Sequence, residues 1–365
     1  MYAAGAGHIA GACVPSTERH SQPLFIIKRR PDKHIHHHQH KRTRLPSIAH
    51  PAATSHFLEQ TSMRVKPEDL VLVEEQAYQI RRLSLEMITC GRWGHVGGAF
   101  SLAEILSCLY FHELKLDPQN PQWERRDRCV LSKAHASPAL YAALALRGFF
   151  PVEELYTYCE LGGRLEGHTD MTRTPGVESS GGPLGQGLSI AVGMALGFRL
   201  REQPGNRVYC LLGDGECDEG QVWEAAMSAG HYHLDNLIAI VDYNKVMAKG
   251  FIWDLMSLEP LAAKWRAFGW EVLEVDGHDV EALLQVLHEA RHVRVHGQPI
   301  AIIAHTVKGK GLEEAEFNYQ WHTQAPDPDT ADAMLRELAR NYGRPEEGYS
   351  KINDPDAKEK FYGGE

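Results

Sequence analysis

The chain has 365 residues, 43% hydrophobic and 24% charged, the make-up of an ordinary globular protein with room for one large or two modest domains. Its 38 basic and 48 acidic residues leave a formal charge of −10, which argues against nucleic acid as a general partner. No apolar run approaches the roughly 18 residues of a membrane span, and seven cysteines without a CxxC pair read as free thiols of a reducing cytosol.

Residues 1–62 differ from everything after them. They hold nine of the 21 histidines, and eight basic residues against three acidic ones. No helical or strand period runs through them, so they read as a disordered, basic, histidine-rich tail, or as an upstream extension of a start at Met63. The cluster His34, His36, His37, His38 and His40 would take up a transition metal only adventitiously. A transit peptide shares the basic, acid-poor make-up but not the many histidines.

Predicted order begins near Pro67. Apolar positions at Leu72, Ala77, Ile80, Leu83 and Met87 make Leu70 to Cys90 an amphipathic helix. Ser101, with Glu104 three residues on, is the expected N-cap of a helix through Phe111. Cys129 to Leu131 is a short strand, and Pro138 to Arg147 a helix stopped by Gly148. Leu184 to Arg201 is a helix rich in Ala and Gly, suited to close packing on a sheet or on another subunit. Val208 to Leu212 and Leu237 to Val241 are apolar runs of strand length, with a helix from Glu219 to His231 between them. Strands Glu271 to Val275 and Ile300 to His305, separated by a helix from Val280 to Val293, complete the series. The alternation predicts an α/β fold, a parallel β-sheet flanked by helices on both faces. We assign residues 63–330 to this domain and 331–365 to a C-terminal helix and polar tail.

Chemistry concentrates where two strands end. Gly213-Asp214-Gly215 leaves the first run and Asn244-Lys245 the second, with 28 residues between Gly215 and Asn244. That is room for one crossover helix and one strand, which sets the two side chains on neighbouring strand ends. Open α/β sheets bind ligands there. A carboxylate and an amide oxygen together suit a hard divalent cation such as Mg²⁺, with phosphate oxygens filling other positions. The glycines allow a sharp turn, and the following helix aims its positive end at an anion.

Other segments keep more than one reading. Gly182 to Gly187 is GxxGxG, not the dinucleotide fingerprint, and reads as a loop with close helix packing. Val307-Lys308-Gly309-Lys310-Gly311 is not a Walker loop, and solvated lysines account for it. His95, His135, His168 and His322 lie in Gly-, Ser- or Trp-flanked loops rather than on apolar faces, where a neutral imidazole can donate and accept protons. Glu219 and Glu224 read as solvated acids of a first helical turn.

The stretch GDGECDEGQVWEAAMSAGHYHLDNLIAIVDYNK resembles the thiamine-diphosphate fingerprint in its transketolase form. Three further blocks agree: Gly94-His95-Val96-Gly97-Gly98, Leu131-Ser132-Lys133-Ala134-His135-Ala136, and Glu166-Gly167-His168 followed by Gly182 to Gly187. Matching blocks run from about residue 67 to 322. The resemblance implies that Asp214, Asn244 and the carbonyl of Val246 hold Mg²⁺ (or Ca²⁺ or Mn²⁺), and that Gly215 contacts the diphosphate. It implies that Gly182 and Leu184 border the aminopyrimidine, that His95 and His322 transfer protons, and that His168 binds a donor hydroxyl. It also brings His135 and His322 to the diphosphate, puts Glu219 in a carboxylate relay across a subunit interface, and sets the Val307 to Gly311 loop near the active-site entrance. Gly97 to Ser101 departs from the family's proline-rich version, Ala134 from a common glycine, and Thr323 from a frequent one. The first departure marks a different subfamily and so a different sugar.

A full-length transketolase is about twice as long as the matched stretch. Its second domain brings a glutamate that activates the cofactor, an aromatic wall, and arginines for the sugar phosphate. Only 43 residues follow His322, too few for that domain. The chain therefore resembles the N-terminal subunit of a split transketolase. The resemblance then implies an α2β2 enzyme with a C-terminal partner subunit, transferring a two-carbon ketol unit from a ketose phosphate to an aldose phosphate. The α subunit of a thiamine-diphosphate-dependent 2-oxo acid dehydrogenase and a non-catalytic cofactor-binding subunit remain as alternatives. The sugar stays open between ordinary pentose phosphates and branched or modified ketose phosphates.

Overall fold

The computed structural model describes residues 64–292 and 297–346. The tail 1–62, with its histidine cluster and the question of a start at Met63, lies outside the described residues, as do residues 347–365 of the polar tail.

Five strands form the sheet: β1 Arg128–Leu131, β2 Val208–Gly213, β3 Leu237–Tyr243, β4 Glu271–Asp276 and β5 Ile300–His305. All pair in parallel, in the order β1-β2-β3-β5-β4. Every residue of β2 and β3 is buried, which is why their sequences are continuous apolar runs rather than alternating ones. β4 lies at an edge and keeps Glu274 and Asp276 exposed while burying Val272 and Val275.

Ten helices accompany the sheet among the described residues: α1 Pro67–Gly91, α2 Val96–Phe100, α3 Ala103–Cys108, α4 Ser137–Arg147, α5 Gln186–Leu200, α6 Gly220–His231, α7 Ile252–Leu255, α8 Leu261–Ala267, α9 Val280–His292 and α10 Pro328–Asn341. The pleat distributes the strand side chains between two cores. Tyr209, Leu211, Ile238 and Ile240 join the core built with α1, α3, α4, α9 and α10. Cys210, Leu212, Ala239 and Val241 join the core built with α5, α6 and α8. Helices thus cover both faces, as the alternation of elements predicts.

Local chemistry sets the helix ends. α1 opens on Pro67 with Glu68 and Asp69 in its first turn and closes at Arg92 in the left-handed region. Gly148 (φ 93) stops α4. Asp327 caps α10 by accepting from the N–H groups of Asp329 and Thr330, both at 3.0 Å. α10 starts at Pro328 and packs Met334, Leu335 and Leu338 into the first core.

Two elements differ from expectation. Ser101 does not cap the next helix: α3 begins at Ala103, and the chain widens into a broader turn over Leu109–Glu113. The Ser101 hydroxyl donates instead to Asp242 at 2.6 Å, because an ionised acceptor inside the protein holds a hydroxyl more strongly than a helix end does. After β2, a tight helical turn at Gly215–Asp218 intervenes, so α6 starts only at Gly220. Among the described residues Cys108, Cys129, Cys159, Cys210 and Cys217 are free thiols, and no helix is long and apolar enough to cross a membrane.

α6 passes close to the turn that enters β4. A Cβ on Gly230 would lie 2.0 Å from the carbonyl oxygen of Phe268, whereas one on Gly220 would meet nothing within 4 Å. Gly230→Ala is expected to destabilise the fold by about 1–3 kcal/mol, and Gly220→Ala by no more than about 0.5 kcal/mol. Urea unfolding of the two variants checks the contrast.

Candidate active site

The site is organised around Asp242, an acid near the end of β3 that faces Gly213 across the ladder. It is fully buried. Its carboxylate accepts from Ser101 Oγ (2.6 Å), from Asn244 Nδ2 (2.9 Å), and from Lys133 Nζ and Thr306 Oγ1. Burial by itself would raise its pKa, but Lys133 and the hydroxyls hold it below the ordinary aspartate value. Lys133, 1% exposed, also donates to the Gly98 carbonyl at 3.1 Å. Four separate segments are tied together at this one carboxylate.

The ligand-facing layer rests on that network. Asn244 gives its amino group to Asp242, so its carbonyl oxygen turns the other way and accepts from Val246 N–H at 3.1 Å. Asp214 leaves β2 alongside, accepting from Gly215 N–H (2.7 Å) and from Lys245 N–H. Lys245 sits in the left-handed region (φ 71), which turns the chain so that its amide reaches Asp214. Burial, with Asp242 nearby, pushes the Asp214 carboxyl up to about 6.

Lys308 corrects the sequence reading. It is 2% exposed, donates to the Val246 carbonyl at 2.7 Å and lies 2.8 Å from His322 Nδ1. Of the two lysines in that loop only Lys310 is partly exposed, facing Glu316 at 3.8 Å. Among the described residues no carboxylate lies within ion-pair distance of Lys308, and burial pulls its pKa down to about 8.

Glu216 is a second acid that sequence reasoning missed. Buried after β2, it accepts from Ser132 Oγ, from Gly185 N–H (2.8 Å) and from Gly213 N–H (2.9 Å). It thereby clips the Gly182 to Gly187 loop to the ends of β1 and β2. The loop approaches closely: a Cβ on Gly187 would lie 2.5 Å from the Ser132 side chain. Glu219, three residues on, is exposed and stands outside the cavity lining.

Asp214, Gly215, Asn244 and Val246 line a cavity of about 130 Å³ together with Lys133, His135, Leu184, Lys308 and His322. Gly182 lies outside that lining, with an open side. The four histidines form a connected group beside it. Ring centroids are 5.3 Å apart for His135 and His322, 4.9 Å for His95 and His135, 5.2 Å for His95 and His322, and 6.4 Å for His95 and His168. Trp93, which the sequence did not single out, packs at 5.1 Å from His95 and 5.4 Å from His168.

Burial pushes every one of these imidazoles toward the neutral form. His95 falls to about 4, helped by His168 and the two lysines, and His322 to about 3, helped by Lys308. His135 lies well below its ordinary value, and His168 is lowered by burial. His95 Nδ1 is buried without a hydrogen-bond partner.

The donor set decides what fits. Asp214, Asn244 and the Val246 carbonyl offer only oxygen, which suits Mg²⁺ or Ca²⁺ and not a soft metal. The Lys308 ammonium on the Val246 carbonyl shows that this point accommodates positive charge. Among the described residues no three His, Cys, Asp or Glu side chains are grouped to hold a metal, so a cation here relies on the amide and the backbone.

Oxygen donors at parallel strand ends, above a cavity edged by lysine and neutral histidine, define an α/β protein of the cofactor-binding class. Residues 73–352 match the transketolase thiamine-diphosphate-binding domain, and the chain belongs to that family. It is 46% identical to the 6-deoxy-6-sulfo-D-fructose transketolase subunit of Clostridium sp. (strain MSTE9), over 75% of this chain and 98% of that one. It is 37% identical to an apulose-4-phosphate transketolase subunit of Phocaeicola vulgatus, over 73% of this chain and 94% of that one. The transketolase structure from Campylobacter jejuni matches with a TM-score of 0.71 at 33% identity, over 82% of this chain and 46% of that one. The chain thus spans nearly all of the single-subunit relatives and less than half of the longer enzyme. These matches support the transketolase reading rather than the 2-oxo acid dehydrogenase one.

Lys133→Met leaves Asp242 buried without its countercharge and is expected to cost about 3–5 kcal/mol of stability in urea unfolding. His95 gives a pH effect. Its folded pKa of about 4 lies below the unfolded value of 6.5, so the unfolded chain binds the proton first. The His95 contribution to stability is therefore lost as pH falls from 6.5 toward 4. A series of Tm values over that window should decline less steeply in His95→Asn.

Proposed function

We propose that this chain is the cofactor-and-metal subunit of a two-chain transketolase, moving a two-carbon ketol unit from a ketose phosphate to an aldose phosphate. The observation that carries this reading is the meeting of Asp214, Asn244, Val246 and Lys308 at one cavity lined also by His135 and His322, with His95 in ring contact with both. Asp214, Asn244 and the Val246 carbonyl would hold Mg²⁺. When bound, thiamine diphosphate supplies the electron sink that carbon–carbon cleavage needs.

The rest follows from this chain's own groups. Lys133 is neutralised by Asp242, whereas Lys308, with no carboxylate at ion-pair distance among the described residues, brings positive charge to the diphosphate side. Gly215 and His135 line the same side, Leu184 lines the cavity, and Gly182 would border the ring end. The Lys308 ammonium donates to His322 Nδ1, so the ring proton of neutral His322 sits on Nε2, and it can be passed to a substrate oxygen only as the Lys308 ammonium hands a proton to Nδ1. His95, with Nδ1 unpartnered, can exchange a proton with a sugar hydroxyl or carbonyl. His168, furthest from the cavity in this group, would hold a donor hydroxyl. Glu219, exposed ahead of α6, would enter a carboxylate relay across a subunit interface.

The reading includes a C-terminal partner subunit, in an α2β2 assembly, that supplies the activating glutamate. The nearly full-length match to single-subunit relatives supports it. Their names point to modified and branched ketoses, so a sulfonated or branched ketose stands beside the pentose phosphates as the donor to try first. A cytoplasmic location goes with this chemistry.

Asp214→Ala tests the reading. In the co-purified pair, with Mg²⁺ and thiamine diphosphate present, it is expected to lower both cofactor affinity by calorimetry and ketol transfer at least about 100-fold. Retained binding and transfer would overturn the metal assignment.

A further inference from the structure

A second buried polar chain lies behind the cavity and touches none of the metal donors. Arg81 of α1, fully buried, makes two hydrogen bonds of 2.6 Å to Glu104 of α3. Glu104 Oε2 lies 3.0 Å from His278 Nδ1, and His278 Nε2 lies 2.8 Å from the backbone nitrogen of Val307. The directions are fixed by elimination. A backbone N–H can only donate, so Nε2 accepts, and the ring proton sits on Nδ1, where Glu104 receives it. Burial would raise the Glu104 pKa, but Arg81 and His278 outweigh it and hold the carboxyl near 2. The acceptor at the centre of the chain is therefore ionised.

Val307 immediately precedes Lys308. Three amides hold the backbone around that lysine. Thr306 N–H donates to the Tyr243 carbonyl at 3.2 Å, Val307 N–H to His278, and Gly309 N–H to the Gly97 carbonyl at 3.1 Å. Of the three acceptors only His278 is a side chain. The path after Lys308 is equally constrained: Gly309 has φ 78, and a Cβ there would sit 2.2 Å from the Ala315 carbonyl oxygen. Where the Lys308 ammonium points is thus decided by how its backbone is pinned.

We propose that His278 is a positioning residue: the relay Arg81–Glu104–His278 pins the Val307 amide and so aims Lys308 at the cofactor's diphosphate, setting cofactor affinity without touching the cofactor. This inference rests on the reading of the cavity as a thiamine-diphosphate site.

The test is calorimetric titration of the co-purified pair of subunits with thiamine diphosphate at saturating Mg²⁺. His278→Asn keeps a donor near the Nδ1 position but has no acceptor for Val307. His278→Gln carries an amide oxygen out to the Nε2 position. Affinity is expected to fall about tenfold in His278→Asn and to stay within about threefold of wild type in His278→Gln. In a Lys308→Met background, His278→Asn should add less than about a twofold loss, because the two residues act in series. Wild-type affinity in His278→Asn, equal losses in Asn and Gln, or an undiminished loss in the Lys308→Met background each overturns the proposal. Hydrogen exchange at Val307 N–H of the wild type gives a readout that needs no variant: slow exchange is expected, and fast exchange overturns it. A wild-type pair that binds no thiamine diphosphate would bring down the cofactor reading itself, and this inference with it.

Discussion

A carboxylate inside an apolar sheet is costly unless its lone pairs are answered, and Asp242 is such a group. It draws Ser101 from the α2–α3 junction, Lys133 from the end of β1, Asn244 from the end of β3 and Thr306 from the end of β5. Each demand has a consequence nearer the ligand. Because the Asn244 amino group is taken, its carbonyl turns away from Asp242 and accepts from the Val246 N–H. Because Thr306 is held, β5 leaves the sheet on the path that brings Lys308 to the Val246 carbonyl. Ser101 is lost as a helix cap, and α3 starts two residues later.

Charge in the site is arranged in pairs with one deliberate imbalance. Lys133 and Asp242 cancel, and so do Arg81 and Glu104. Glu216 is satisfied by a hydroxyl and two amides. Lys308 has no carboxylate within ion-pair distance among the described residues, and Asp214 is the charged member of the donor set that lines the cavity. An anionic ligand with a divalent cation fits that pattern: the cation for Asp214, the anion for Lys308. Neutral histidines beside two lysines are the expected companions, since protonating them would place like charges within a few ångströms.

Much of this was legible in the sequence, for identifiable reasons. Strands buried on both faces leave apolar runs, and β2 and β3 were found from theirs. The nearness of Asp214 and Asn244 was legible because they leave the ends of two apolar runs, which pair as neighbouring parallel strands. Asp242 was not, because a single acid two residues before Asn244 looks like the end of a strand, and only the fold shows four donors converging on it. Glu216 and Glu219 both follow the Gly-Asp-Gly turn, and nothing in their order shows which is buried; the tight turn at Gly215–Asp218 decides it. Lys308 in a glycine loop reads as solvated, and its burial depends on residues far away in sequence, among them Gly97 and Val246. The ring contacts of Trp93 likewise require the loops of His95 and His168 to be brought together in space.

The proposed function, then, depends on a donor set whose orientation is inherited from a buried acid. The most direct measurement is a crystal grown with Mn²⁺ and thiamine diphosphate, with anomalous scattering used to locate the metal. The expected result is a single strong peak bonded to Asp214, Asn244 and the Val246 carbonyl, with the Lys308 ammonium turned from that carbonyl onto the diphosphate. A metal peak away from these three oxygens, or a diphosphate bound with no metal beside them, would contradict it.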